Sequence, residues 1–203
     1  MLSDAEARSV LLQAFEARGL PPPQLSELQG VGAIGRLEGG YGSALGGINN
    51  WGMVQCKTRP PCPPGCAETT DKNAAGVAYQ GCFRVYDSPL EGATDMLREI
   101  YRRPGTPEAM RAGDALAVAA TMRAAGYFEA SAAYYAKGIA SNASHIAKVL
   151  GEPLKMTLKG ATSPTSPATP RPSSSTSIVL PGLLAFGFLL LRFGNLKNHA
   201  LRT

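Results

Sequence analysis

The sequence is short of aromatic side chains and of charge. Of its 203 residues only 7% are Phe, Tyr or Trp, Trp51 being the only Trp, and 17% are charged. A core therefore exists but is built largely from Ala, Leu, Val and Ile. No run of Lys or Arg interleaved with aromatics occurs, so the formal net charge of +5 points to no nucleic-acid partner. Scattered basic residues suit anionic surfaces more generally, such as anionic lipid or cell-wall polymer. Gly and Pro, at 23 and 16 residues, stay below the level that marks a collagenous or wholly disordered chain. The opening MLSDAEARSVLLQAFEARGL has three acidic residues and no continuous apolar stretch, so it does not read as a secretion signal. What remains is the size of one ordinary domain with appendages.

Cysteine is confined to one stretch: Cys56, Cys62, Cys66 and Cys82. An even count packed among Pro and Gly favours two disulfides bracing an irregular lobe, and with them an oxidising compartment. A structural zinc site with four thiolates is the competing arrangement. The spacing, C-x5-C-x3-C-x15-C, lacks the C-x2-C knuckles that zinc ribbons favour.

The helical signals are clear elsewhere. Ser3 and Glu6 fit a capping box, ahead of a stripe of Val10, Leu11, Ala14 and Phe15, and Gly19 with Pro21 to Pro23 stops that helix. Leu28, Val31, Ile34 and Leu37 predict a second helix from about Ser26 to Glu38, ended by glycines at 39, 40 and 42. Residues 43–82 read as loop with room for a short hairpin. Ser88-Pro89-Leu90-Glu91 opens a third helix with an N-cap, a Pro at the first position and a capping Glu. Thr106-Pro107 opens another, predicted to run to Ala125, and a last helix spans about Ser131 to Leu150. The expected class is mainly α, with α+β character in a small braced lobe, over residues 1–155.

Composition then changes. Of the 17 residues from Ala161 to Ser177, 14 are Ser, Thr or Pro, so residues 156–177 read as an extended linker. Behind it stands IVLPGLLAFGFLLL, the only uninterrupted apolar run. As a helix, 178–193 would be about 24 Å long, short of the roughly 30 Å hydrocarbon core but within what local thinning absorbs. A basic tail, 194–203, carries Lys197, His199 and Arg202. The pattern predicts a membrane anchor with the main domain on the face opposite the tail; a docked terminal helix or an interfacial segment is the alternative.

The stretch that carries chemistry is Ile34-Gly-Arg-Leu-Glu-Gly-Gly-Tyr-Gly-Ser43, followed by Asn49-Asn-Trp-Gly-Met-Val-Gln55. Glu38 lies four residues after Ile34 and seven after Val31, on the face that turns inward, and the chain beyond it is nearly bare of side chains. Such a carboxyl is partly desolvated and has room for a bulky ligand beside it, the setting a proton donor for glycosidic cleavage needs. A solvated charge at a helix end is the plain alternative.

Four segments in order, LEGGYGS, NNWGMVQ, FRVYDSPLEGATDMLREIY (83–101) and GYFEASAAYYAKGI (126–139), resemble the peptidoglycan glucosaminidase family of the autolysin and flagellar type. The likeness covers about residues 25 to 150. It implies a lysozyme-like fold, cleavage of the β-1,4 glycan backbone of peptidoglycan, and no cofactor or metal. It makes Glu38 the counterpart of the catalytic acid. Ser43 matches the motif Ser that supports the turn behind the acid. Asn50, Trp51 and Gln55 fall in the stretch lining the cleft, where Trp51 would either face a sugar ring or sit in the core. Phe83, Arg84 and Tyr86 match a structural turn. Tyr127 matches a Tyr that reaches the cleft, and Tyr134 and Tyr135 compete for the next family Tyr. A second carboxylate, often present in the lobe, could here be only Glu68 or Asp71, which would act as base if held about 6.5–9.5 Å from the acid. Without one, the substrate's N-acetyl group or Glu38 alone would serve. A lytic transglycosylase, and a non-catalytic wall-binding or virion-structural protein, are the rival functions. The implied location is a membrane-anchored domain on the periplasmic or cell-wall side, or a virion.

Overall fold

The computed structural model describes residues 2–72, 77–128 and 130–159. The expected apolar anchor and basic tail, and most of the linker, lie outside the described residues. Among those described, no helix is long and apolar enough to cross a membrane.

The body is helical. α1 (Asp4–Ala17) opens on the predicted capping box, with the Ser3 hydroxyl accepting from the Glu6 N–H and the Glu6 carboxylate accepting from Ser3. α2 (Leu25–Gly39) runs through the middle and is buried along most of its length, because α1, α7 (Ala132–Leu150), α4 (Pro89–Tyr101) and α5 (Thr106–Arg111) all pack on it. Its Leu28, Val31 and Ile34 enter the core with Leu11, Phe15, Leu97, Ile100, Ile139 and Ile146. A buried carboxylate, Glu27, is matched by the Tyr101 hydroxyl at 2.8 Å and Arg111 Nε at 3.3 Å. Beyond α7 the chain returns to the body: Met156 is fully buried, and Thr157 exchanges backbone hydrogen bonds with Gly113 and Ala115.

Two helix predictions need correction. The single helix expected from Thr106 to Ala125 is two, α5 and α6 (Ala115–Ala124). Gly113 adopts φ +65°, and the Asp114 carboxylate caps the N–H groups of Leu116 and Ala117, starting a new helix. In α4, Ser88 caps as predicted, but Glu91 accepts from the Asp87 N–H, one residue earlier than a capping box requires.

The lobe between α2 and α4 contains a single four-residue turn, α3 (Ala44–Gly47), in which Leu45, Gly46 and Gly47 have positive φ rather than helical dihedrals, and an antiparallel pair, β1 (Cys66–Lys72) and β2 (Ala78–Arg84). The register sets Cys66 opposite Arg84 and Asp71 opposite Tyr79. Segment 54–56 lies along the other edge of β2: Arg84 N–H donates to the Val54 carbonyl, Cys56 N–H to the Cys82 carbonyl, and Gln55 bridges Phe83. All four cysteines are in disulfides, Cys56–Cys66 and Cys62–Cys82, so the zinc alternative is set aside. The two loops interlock, tying 54–56 to the first residue of β1 and the preceding loop to β2.

Candidate active site

Glu38 occupies the last turn of α2 and is 6% exposed. The Tyr135 hydroxyl, from the first turn of α7, donates to its Oε1. Antiparallel packing of α7 on α2 brings the two together, and of the neighbouring tyrosines it is Tyr135 that meets Glu38. Tyr135 is buried and stacks on Phe128, ring centroids 3.8 Å apart, whereas Tyr134 is 57% exposed. Phe128 gave no separate sequence signal, because its role is to hold a neighbouring ring.

The segment after Glu38 is folded tightly against it. A Cβ on Gly39 would come within 2.5 Å of the Asn50 carbonyl oxygen and 2.9 Å of that of Trp51, so glycine is what lets the 49–52 loop pass beside Glu38. Gly40 caps α2 in the left-handed region, and the Ser43 hydroxyl donates to the Gly40 carbonyl at 2.8 Å. Ser43 thus closes the turn that follows Glu38. Tyr41 is anchored from the other side: its hydroxyl donates to Asp4 at 2.6 Å and its ring packs on Trp51 at 5.2 Å. Burial and then the Asp4 carboxylate push the Tyr41 hydroxyl well above the ordinary phenol range, which keeps it a neutral donor. Tyr41 and three other non-glycine residues between 41 and 53, namely Leu45, Asn49 and Met53, have positive φ, a concentration of strained backbone that fits a functional segment.

The expected cleft-lining residues separate by role. Trp51 is fully buried in the core, so it offers no ring face to a sugar. Asn50 is spent on the loop itself, accepting from the Val54 N–H at 2.8 Å and donating to the carbonyls of Val54 and Arg84. Tyr127 donates to the Gly52 carbonyl at 3.1 Å, and the Arg103 guanidinium lies 4.4 Å over its ring; it reaches the 49–52 loop beside Glu38 and holds it. Arg84 and Tyr86 both bond Asp95 on α4, and burial followed by that carboxylate raises the Tyr86 hydroxyl above its usual range. The FRVY turn therefore locks the lobe onto the helical body.

The two lobe carboxylates differ in setting. Paired residues of an antiparallel ladder share a face, so Asp71 stands with Thr69, Tyr79, Gly81, Phe83 and Gln55. Glu68 stands on the opposite face with Cys82 and is exposed. Asp71 is half-buried and accepts from the Tyr79 hydroxyl at 2.9 Å, which itself accepts from Gln55 Nε2 at 2.9 Å. Tyr79 was not singled out from sequence; its only signal is its place across a hairpin that the sequence marks weakly. Among the described residues no group of three or more His, Cys, Asp or Glu is placed to hold a metal ion.

No protein-family model matches the chain, and no curated protein matches it. Solved structures do. The peptidoglycan hydrolase from Sphingomonas sp. A1 is 17% identical at a TM-score of 0.53, covering 73% of this chain and 94% of that one. The glycoside hydrolase domain of Salmonella typhimurium FlgJ is 22% identical at a TM-score of 0.47, covering 74% and 92%. The catalytic domain of the autolysin Auto from Listeria monocytogenes is 14% identical at 0.46, covering 73% and 82%. At a TM-score above 0.5, the Sphingomonas likeness shows that this chain shares that hydrolase's fold over 73% of its length.

Proposed function

We propose that this protein is a peptidoglycan hydrolase that cleaves the β-1,4 glycan backbone in the manner of an endo-β-N-acetylglucosaminidase, with Glu38 as general acid. The observation that carries the reading is the Glu38–Tyr135 pair. A carboxyl buried at a helix end, oriented by a buried phenol and flanked by a loop that only glycine lets approach, is held in one place, as a group that delivers a proton to a substrate must be. In this reading the Glu38 carboxyl, oriented by Tyr135, gives its proton to the leaving glycosidic oxygen. The motif order and the fold shared with a structure described as a peptidoglycan hydrolase support the substrate class.

Asp71 is the base of this reading, in preference to Glu68, because it lies half-buried on the Phe83 face and is held by a hydrogen bond. Water gives its proton to Asp71 and its oxygen to the sugar's anomeric carbon. The bond from that carbon to the bridging oxygen breaks, and the bridging oxygen takes the Glu38 proton. One water is consumed and two hydroxyl-terminated glycans result.

Glu38→Gln keeps the shape and a hydrogen-bonding partner for Tyr135 but has no proton to give. It is expected to lower clearing of a peptidoglycan suspension by at least roughly a hundredfold while leaving sedimentation with the polymer intact. Undiminished clearing by the variant rejects the assignment.

A further inference from the structure

The base of the proposed reaction sits at the far end of a two-stranded hairpin, and β1 and β2 pack mainly on each other. Something must fix Asp71 relative to the acid. A chain of contacts runs from one to the other. Gly39, beside Glu38, lies against the Asn50 and Trp51 carbonyls. The Asn50 side chain is bonded to both backbone groups of Val54, and Gln55 follows directly. Gln55 donates to the Tyr79 hydroxyl, and the Tyr79 hydroxyl donates to Asp71.

Tyr79 can make both contacts because of what lies beneath it. A Cβ on Gly81 would stand 3.2 Å from the Tyr79 ring and 2.9 Å from the Phe83 ring. The missing side chain at 81 leaves the space in which the two rings close over the sheet. The direction of the bonds is also fixed. A phenol has one proton; since the Gln55 amide supplies a donor to the oxygen, the Tyr79 proton goes to the carboxylate.

We propose that Tyr79, held by Gln55, is a positioning residue that sets the Asp71 carboxylate toward the acid. This rests on the reading of Asp71 as base, and it assigns Gln55, expected from sequence to contact the glycan, to the support of that base instead.

The test is a mutant cycle in the full, oxidised chain, with glycan strands freed of their peptides as substrate. Tyr79→Phe removes one hydroxyl and keeps the ring. It should lower kcat by at least roughly tenfold with KM changed less than twofold, since misplacing a catalytic group costs rate rather than binding. In the Asp71→Asn background the same change should cost nothing further, because Tyr79 acts only through that carboxylate. A wild-type kcat for Tyr79→Phe, or an equal loss in both backgrounds, overturns the proposal. Gln55→Ala, which removes the donor to Tyr79 from outside the hairpin, should give the same split of kcat from KM, and a loss confined to KM counts against it. Failure of the underlying reading looks different. Asp71→Asn with full activity beside an inactive Glu38→Gln displaces the base, and Tyr79 with it, while leaving the acid.

Discussion

At the scale of single residues, the inward placement of Glu38 was legible and its hydrogen-bond partner was not. Glu38 could be found because helical spacing from Val31 and Ile34 turns it inward and glycines follow it. Its partner could not be chosen from sequence, because Tyr134 and Tyr135 are adjacent and differ only in which side of α7 they occupy. Trp51 shows the same limit in reverse: a lone Trp in a cleft motif fits a sugar platform and a core residue equally, and burial decides for the core. The geometry makes Tyr135 testable. Tyr135→Phe keeps the stack on Phe128 but leaves a buried carboxyl with one donor fewer. We expect kcat to fall about tenfold and stability to drop by about 1–3 kcal/mol, read by steady-state kinetics and denaturant unfolding. An unchanged kcat with unchanged stability contradicts the pairing.

At the scale of elements, the helices were readable where a capping residue and an apolar stripe coincide, as in α1, α4 and α7. The break between α5 and α6 was also written in the chain, as Gly113 followed by Asp114, but the Ala-rich run around it reads as continuous helix. The hairpin was barely visible because CAETTDK and AYQGCFR carry polar residues on both faces, so no alternation of apolar and polar marks them. Disulfide pairing was beyond the sequence, since four cysteines permit three connectivities. The junction of α2 with the 49–52 loop depends on one missing methyl group. Gly39→Ala places a Cβ into two backbone carbonyls, and neither can retreat without moving the loop. A loss of about 1–3 kcal/mol, with a kcat reduced along with it, is expected from thermal unfolding and kinetics run side by side. Wild-type values for both would show that the loop yields freely and does not set the surroundings of Glu38.

At the scale of the whole molecule, stability is unevenly shared. The helical body has a continuous core, whereas the lobe contributes few fully buried apolar side chains and leans on two interlocked disulfides. Closing loops of this size contributes roughly 3 kcal/mol each on chain-entropy grounds, more than so small a lobe can replace. Reduction under native conditions should therefore abolish hydrolysis while the helical circular dichroism persists. Full activity from a chain whose four thiols are shown to be alkylated would contradict that division. The central claim is the bond cleaved and the way it is cleaved. Its most direct test is mass spectrometry of the fragments released from peptidoglycan by the oxidised full chain. The account predicts fragments ending in reducing N-acetylglucosamine, absent when Glu38 is replaced by Gln; anhydro-muramic ends, or no fragments from the folded protein, would contradict it.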